Sequence, residues 1–258
     1  MQKMTSWDLL YYLLRANYDG VESDYCTVPD SVASDGAARY EYGHTVTGLE
    51  EDGDGVKVHF RKADGSAGSV AADLVVGADG PSSTVRKIFH PEVERELVGY
   101  CALRGTVPEE EASPEAKEAF QERFTFFHAE GIQILAYLIP GKDGAVEPGR
   151  RLMNFVYYKN FPADSPEFRE LMTDADGKVH RITLPPGKLR PEVWEKERRF
   201  AKANLAPQFA ELICKTKYPF AQAITDVISP RNSFMNGKVI LTGDALAGFR
   251  PHTVASTS

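Results

Sequence analysis

KVILTGDALAGFRPH, residues 238–252, opens on an apolar run, Val239-Ile240-Leu241, short enough for a buried strand. Thr242-Gly243-Asp244 then turns the chain on a small residue and presents a carboxylate. Pro251 follows, a residue suited to the first turn of a helix, where its missing N–H would have no partner anyway. The pattern is a strand, a turn with an acid, and a helix start. In open α/β sheets the carboxyl ends of the strands are where ligands sit. A carboxylate there accepts hydrogen bonds from sugar-type hydroxyls, and a helix N-terminus offers N–H groups to an anion. Taken alone, the stretch reads more readily as a plain strand–turn–helix joint with a solvated Asp, because short motifs are weak evidence.

A second stretch narrows the choice. Asp73–Arg86, DLVVGADGPSSTVR, has the same form: Leu74-Val75-Val76 as a strand, Gly77-Ala78-Asp79-Gly80 as a turn, then Ser82, Ser83 and Arg86. With these residues the chain resembles the flavin-dependent aromatic hydroxylases of the para-hydroxybenzoate hydroxylase type. Asp79-Gly80, with Ser83 and Arg86, is similar to their Asp-Gly motif, and Gly243-Asp244 to their Gly-Asp motif. The phrases TSWDLL (residues 5–10), LRGTVP (103–108), NFVYY (154–158) and RPHT (250–253) look most like the 2,6-dihydroxypyridine 3-monooxygenase branch.

The resemblance implies an α/β (α+β) fold: an incomplete FAD-binding Rossmann-like domain with an inserted mixed/antiparallel-sheet substrate domain. Residues 1–95 would form the first part of the FAD-binding domain, 96–227 the substrate-binding sheet, and 228–258 the second part. It implies FAD as cofactor, NADH or NADPH as co-substrate, and O2 with an electron-rich aromatic or pyridine-type ring as reactants. The cofactor-binding set it implies is Asp79, Gly80, Arg86, Gly243, Asp244 and Pro251. Asp244 would take the ribityl hydroxyls, the Pro251 helix start an edge of the flavin, and Asp79 with Arg86 would structure the cofactor side. His252 is the substrate-side candidate, because imidazole titrates near neutral pH; a solvent-facing helix-start residue is the alternative. No catalytic base is named by the sequence.

A dinucleotide-binding half normally opens with a strand, GxGxxG and a helix, with an acid about 20 residues on. Gly53-Asp54-Gly55 lacks the third Gly and precedes a strand, so it reads as a hairpin turn. The chain therefore reads as truncated at both ends, starting downstream of that unit and stopping at Ser258 as a helix should begin. The rival expectation is a non-catalytic remnant or ligand-binding fragment that does not hold FAD alone. A third is a flavin reductase or dehydrogenase sharing the fold.

Composition bounds these readings. The 258 residues suffice for one large or two modest domains, and 42% hydrophobic with 26% charged residues is ordinary for a globular protein. A net charge of −7 argues against a nucleic-acid surface. Cys26, Cys101 and Cys214 form no CxxC pair and the six His are scattered, so neither a disulfide framework nor a metal site is expected. No apolar run approaches the roughly 20 residues of a membrane span. The expectation is a cytoplasmic protein; a homodimer stays open.

Along the chain, Trp7, Leu10 and Leu14 fall at helical spacing, with Thr5 or Ser6 as cap. In the family the equivalent helix often carries an Arg where this chain has Trp7, and Arg15 is a candidate substitute for a phosphate contact. Residues 39–49, 56–61 and 69–76 read as antiparallel strands joined by polar turns, with Asp64-Gly65 in the second. Residues 97–107, 124–128, 132–139 and 152–158 read as a separate sheet, with a short helix over 114–121. Helices are expected over 191–204 and 205–217, and a strand over 219–227. Phe124, Phe126, Phe127, Tyr137, Phe155, Tyr157 and Tyr158 are candidates for a ring pocket, most of them expected as sheet core or surface.

Overall fold

The computed structural model of the chain describes residues 4–250. Pro251 and His252, expected at a helix start and its substrate side, lie outside the described residues. Helix α1 is Trp7–Asp19, and the Ser6 hydroxyl caps it by accepting from the Leu9 amide at 3.2 Å. Strands β1 (His44–Asp52), β2 (Gly55–Lys62) and β3 (Ala67–Ala72) follow, then the short β4 (Val75–Gly77) and helix α2 (Thr84–Phe89). Strand β5 (Glu96–Pro108) leads through α3 (Pro114–Phe120) to β6 (Thr125–Ala129), β7 (Ile132–Ile139) and β8 (Leu152–Asn160). Next come α4 (Pro166–Met172), β9 (Thr183–Leu184), α5 (Pro191–Asn204), α6 (Pro207–Lys215) and β10 (Phe220–Ile228). The described chain closes with β11 (Ser233–Phe234), β12 (Val239–Leu241) and β13 (Ala247–Gly248). Proline starts α3, α4, α5 and α6, where its missing N–H leaves no bond unmade.

The mixed α/β class holds. Two compact units are present: Met1–Tyr40 with Gly99–Ala223, and Glu41–Val98 with Ile224–Ser258. They are called here the sheet unit and the motif unit. Residues 4–40 thus group with the sheet unit. No helix among the described residues is long and apolar enough to cross a membrane.

In the sheet unit, β5, β8, β7 and β6 pair antiparallel in that order. The period of two sends Cys101, Leu103 and Val107 of β5, Met153, Phe155 and Tyr157 of β8, and Ile134 and Ala136 of β7 to one face, all fully buried. Helices lie on that face. The Phe120 and Phe209 rings of α3 and α6 meet at 4.9 Å, and Lys159 of β8 reaches Glu197 of α5 at 2.8 Å. Thr216, just past α6, comes so near β5 that a Cβ on Gly105 would lie 2.4 Å from its methyl group. Burying each large apolar side chain contributes about 1.5–3 kcal/mol, so this face carries much of the core of the unit, and on the opposite face Ala102, Leu135, Val156 and Tyr158 are buried as well.

Arg15, on α1, is not available as a phosphate contact. It is 5% exposed, forks onto Asp19 at 2.8 and 2.8 Å, donates to the Tyr11 hydroxyl at 2.6 Å, and lies 3.8 Å over the Tyr40 ring. The i,i+4 spacing of Arg15 to Asp19 commits the guanidinium to its own helix.

In the motif unit, β1, β2 and β3 form an antiparallel meander. The strand expected from Arg39 begins at His44, because Tyr42-Gly43 form a turn ahead of it. The β2–β3 turn is held by Asp64, whose carboxylate accepts from the Ser66 amide at 2.9 Å. Beside this meander, β11, β12 and β4 form a second sheet in which β12 and β4 are parallel. Val56, Val85, Phe234, Val239, Leu241 and Ala245 make the core of the unit, and Phe89 stacks on Phe234 at 4.2 Å. The Leu74–Val76 run was expected as a buried strand. Leu74 and Val76 are half exposed, because β4 is the edge strand of this small sheet.

Candidate functional site

The parallel pairing of β4 with β12 brings the two acidic turns together. Val75 pairs with Val239 and Gly77 with Leu241, and the Thr242 amide donates to the Gly77 carbonyl at 3.0 Å. Asp79 and Asp244 therefore leave the same carboxyl edge of one parallel pair, the edge where α/β sheets present ligands. Gly80 and Gly243 turn the chain there with φ of +76° and +56°, conformations that side-chain-bearing residues rarely adopt. No atom lies within 4 Å of where a Cβ would stand on either, so the backbone is open to an approaching ligand.

The two acids are not equivalent. Asp79 faces helix α2: its carboxylate accepts from the Ser83 hydroxyl at 2.5 Å and from the amides of Thr84 and Val85 at 2.7 and 3.1 Å. Ser83 in turn accepts from the Arg86 amide at 2.9 Å. This places negative charge at the start of α2, where unpaired N–H groups favour it. Asp244 is exposed and accepts no hydrogen bond among the described residues. Among the described residues its carboxylate is a free acceptor at this edge.

Arg86 joins the two turns. It is fully buried, donating through Nη1 to the Ala245 carbonyl at 2.7 Å and through Nη2 to the Pro81 carbonyl at 2.6 Å. Burial pulls its pKa below the ordinary arginine value, and the Asp79 charge opposes that. The sequence marked Arg86 as part of a motif; its bond to Ala245 had no signal there. Around the same edge Arg95 donates to the hydroxyls of Ser82 and Thr225, at 3.1 and 2.8 Å. Arg250 pairs with Asp226 at 2.9 Å. Neither pair was expected, since nothing in their spacing distinguishes them from surface polar residues.

The sheet unit carries a different surface. The seven candidate pocket aromatics sort by strand parity. Phe155 and Tyr157 are fully buried on the helix-covered face, and Phe127 points the same way, 6.2 Å from Phe209. Tyr137 and Tyr158 share the opposite face, where Tyr137 pairs with Asn154 and Tyr158 with Gln133. Phe124 stacks on Tyr137 at 4.9 Å and meets Phe126 edge to face at 4.9 Å. Phe124, Tyr137 and Ile139 line a cleft of about 410 Å³ together with Arg123, Val146 and Arg151.

Arg151 at this cleft is held by Glu109, through Nε at 2.9 Å and Nη2 at 2.7 Å, and reaches Glu122 at 2.6 Å. The hydrogen bonds from Arg151 keep the Glu109 carboxyl below its usual pKa. The stability this pair contributes is full above the unfolded value of about 4.3 and is lost as pH falls through the depressed folded value. Glu109→Gln is expected to cost about 1.5–3 kcal/mol at neutral pH and to flatten the acid limb of the stability curve. Urea midpoints measured across pH check this; parallel curves for the two proteins would refute it.

Residues 97–226, 130 of the 258, match the model of the FAD binding domain-like family. The matched range contains the β5–β8 sheet but neither Asp79 nor Asp244. The chain is 32% identical over 225 residues to the 2,6-dihydroxypyridine 3-monooxygenase of Paenarthrobacter nicotinovorans, covering 85% of this chain and 52% of that protein. It thus spans about half the length of the curated relative it matches. Among solved structures, 2,6-dihydroxypyridine-3-hydroxylase from Arthrobacter nicotinovorans matches with a TM-score of 0.73 at 26% identity, over 99% of this chain and 71% of that one. HpxO of Klebsiella pneumoniae, solved with FAD and uric acid, matches with a TM-score of 0.53 at 27% identity, over 81% of this chain and 44% of that one.

Proposed function

Because this chain belongs to the FAD binding domain-like family, we propose that it acts as a flavoprotein monooxygenase. It holds FAD at the Asp79–Asp244 edge of the motif unit, and it hydroxylates an electron-rich aromatic or pyridine-type ring with NADH or NADPH and O2. The observation that carries this is the free Asp244 carboxylate at the carboxyl edge of a parallel strand pair, with open backbone at Gly243 and Gly80. The residues present fit a ligand rich in hydroxyl groups. The names of the relatives, hydroxylases of hydroxylated nitrogen rings, supply the reaction class.

In this reading FAD, when bound, supplies the redox chemistry that moves one oxygen atom from O2 to the ring at the expense of NAD(P)H. Asp244 accepts hydrogen bonds from the ribityl hydroxyls. Arg86 and Asp79 keep the two turns at a fixed separation, so that the acceptor is in place before the ligand arrives. Residues 1–95 and 228–258 serve the cofactor, and the sheet of 96–227 serves the ring. Scattered cysteines and the absence of a membrane-spanning helix among the described residues support a cytoplasmic place.

The test is to titrate the purified 258-residue chain with FAD, following flavin absorbance and fluorescence. NAD(P)H and a hydroxypyridine are then supplied under heavy-isotope O2. The expected product carries one labelled oxygen. NAD(P)H oxidation without label in the product would point to a reductase or dehydrogenase instead. A folded chain that leaves FAD free would show that it does not hold the cofactor alone.

A further inference from the structure

We propose that Arg104 anchors the anionic oxygen of a planar ring, a phenolate or hydroxypyridine oxyanion, on the face of the β5–β8 sheet that carries Tyr137 and Tyr158. The proposal deepens the hydroxylase reading above and names the charge state of the ring it takes. Arg104 lies between Leu103, fully buried, and Gly105, packed under Thr216. Strand alternation therefore sends its side chain to the other face, the one that carries Tyr137 and Tyr158. Arg104 pairs with Val156 of β8, Ala102 of β5 with Tyr158, and Tyr137 with Asn154 across β8. The guanidinium lies near enough to both phenols for its charge to oppose the rise in pKa that burial imposes on them.

What sets Arg104 apart is the lack of a counter-charge. Its Nε is buried with no hydrogen-bond partner, as are those of Arg86, Arg190 and Arg198, but among the described residues no carboxylate pairs with Arg104. The other poorly exposed guanidinium groups of this unit are matched: Arg15 by Asp19, Arg151 by Glu109 and Arg190 by Glu192. A half-buried cation without a partner is unfavourable unless something else brings the negative charge. Phe124 stacked on Tyr137 supplies aromatic surface on the same face for a flat ring. The guanidinium fork suits an oxyanion beside a second ring oxygen or nitrogen.

The probe is 4-nitrophenol, whose anion absorbs in the visible, with 4-nitroanisole as the neutral ring of similar shape. The wild-type chain is expected to bind the nitrophenolate and to lower the bound probe's pKa by about 1–3 units, the effect of an adjacent cation. Arg104→Met should bind it at least tenfold more weakly and lose that shift. Arg104→Lys should retain part of the shift, and 4-nitroanisole should bind all three proteins equally. If folded Arg104→Met or Arg104→Gln binds the anion as wild type does, or if the wild type binds no probe, the assignment is wrong. FAD titration of the same proteins separates the two readings. A chain that binds FAD but not the anion overturns only the role of Arg104, and one that binds the anion but not FAD overturns only the cofactor reading.

Discussion

Arg86→Met is expected to destabilise the motif unit by about 3–5 kcal/mol. The guanidinium is fully buried and donates to the carbonyls of Pro81 and Ala245. Methionine fills much of the space but donates nothing, so two carbonyls lose a charged donor, at about 1.5–3 kcal/mol each. Removing a desolvated charge returns part of that. A domain has about 5–15 kcal/mol in all, so the loss is a large fraction of the total. Arg86→Lys should fall between the two, because one ammonium cannot fork onto carbonyls in two different turns. Urea unfolding gives the size of the effect. Amide hydrogen exchange gives its place: Val75–Gly77 and Val239–Leu241 should lose protection while β8 keeps it. A midpoint within about 0.5 kcal/mol of wild type, the range of a surface substitution, would show that the two turns do not depend on Arg86.

The same residue shows what the sequence made visible and what it hid. The strands β4 and β12 were each legible from an apolar tripeptide followed by a Gly and an acid. Their parallel pairing, Gly77 against Leu241, was not legible, because it joins segments separated by most of the chain and depends on the Phe89–Phe234 core between them. Helix α5 was read to its ends, since Pro191 marks the start and the helical pattern runs unbroken to Asn204. Helix α4 was missed although its signal was present. Ser165-Pro166-Glu167 is a cap, a proline and a first-turn acid, but a run of only seven residues shows too few turns to display a period. Strands β9, β11 and β13 are two residues long and exist because a partner strand lies beside them. No local pattern announces such a strand. The aromatics illustrate a third limit. Alternation separates Phe155 and Tyr157 from Tyr158, but which face the helices cover is decided by α5 and α6, packed from far along the chain. Arg104 was therefore readable as a strand residue and not as a cation without a carboxylate partner on the face away from those helices.

Asp244→Ala should separate binding from stability. Asp244 is exposed and makes no hydrogen bond among the described residues, so its loss should change unfolding by no more than about 0.5 kcal/mol. If its carboxylate accepts from ribityl hydroxyls, each bond to the charged acceptor contributes about 1.5–3 kcal/mol. Losing one or two of them weakens FAD binding by about 10- to 10,000-fold, at tenfold per 1.4 kcal/mol. Asp244→Asn keeps one acceptor and loses the charge, and should lie between alanine and wild type. Asp79→Ala offers the contrast. Asp79 accepts from Ser83, Thr84 and Val85, so its removal should first cost stability, by about 1–2 kcal/mol for a lost helix cap, with FAD affinity following as the turn loosens. Flavin fluorescence titration and urea unfolding on the same three variants read both quantities. If Asp244→Ala binds FAD as tightly as wild type, the acid is a solvated turn residue and the cofactor must be held by other groups on this edge. If it instead unfolds early, Asp244 supports the turn, and the difference between the two acids inferred from their hydrogen bonds is wrong.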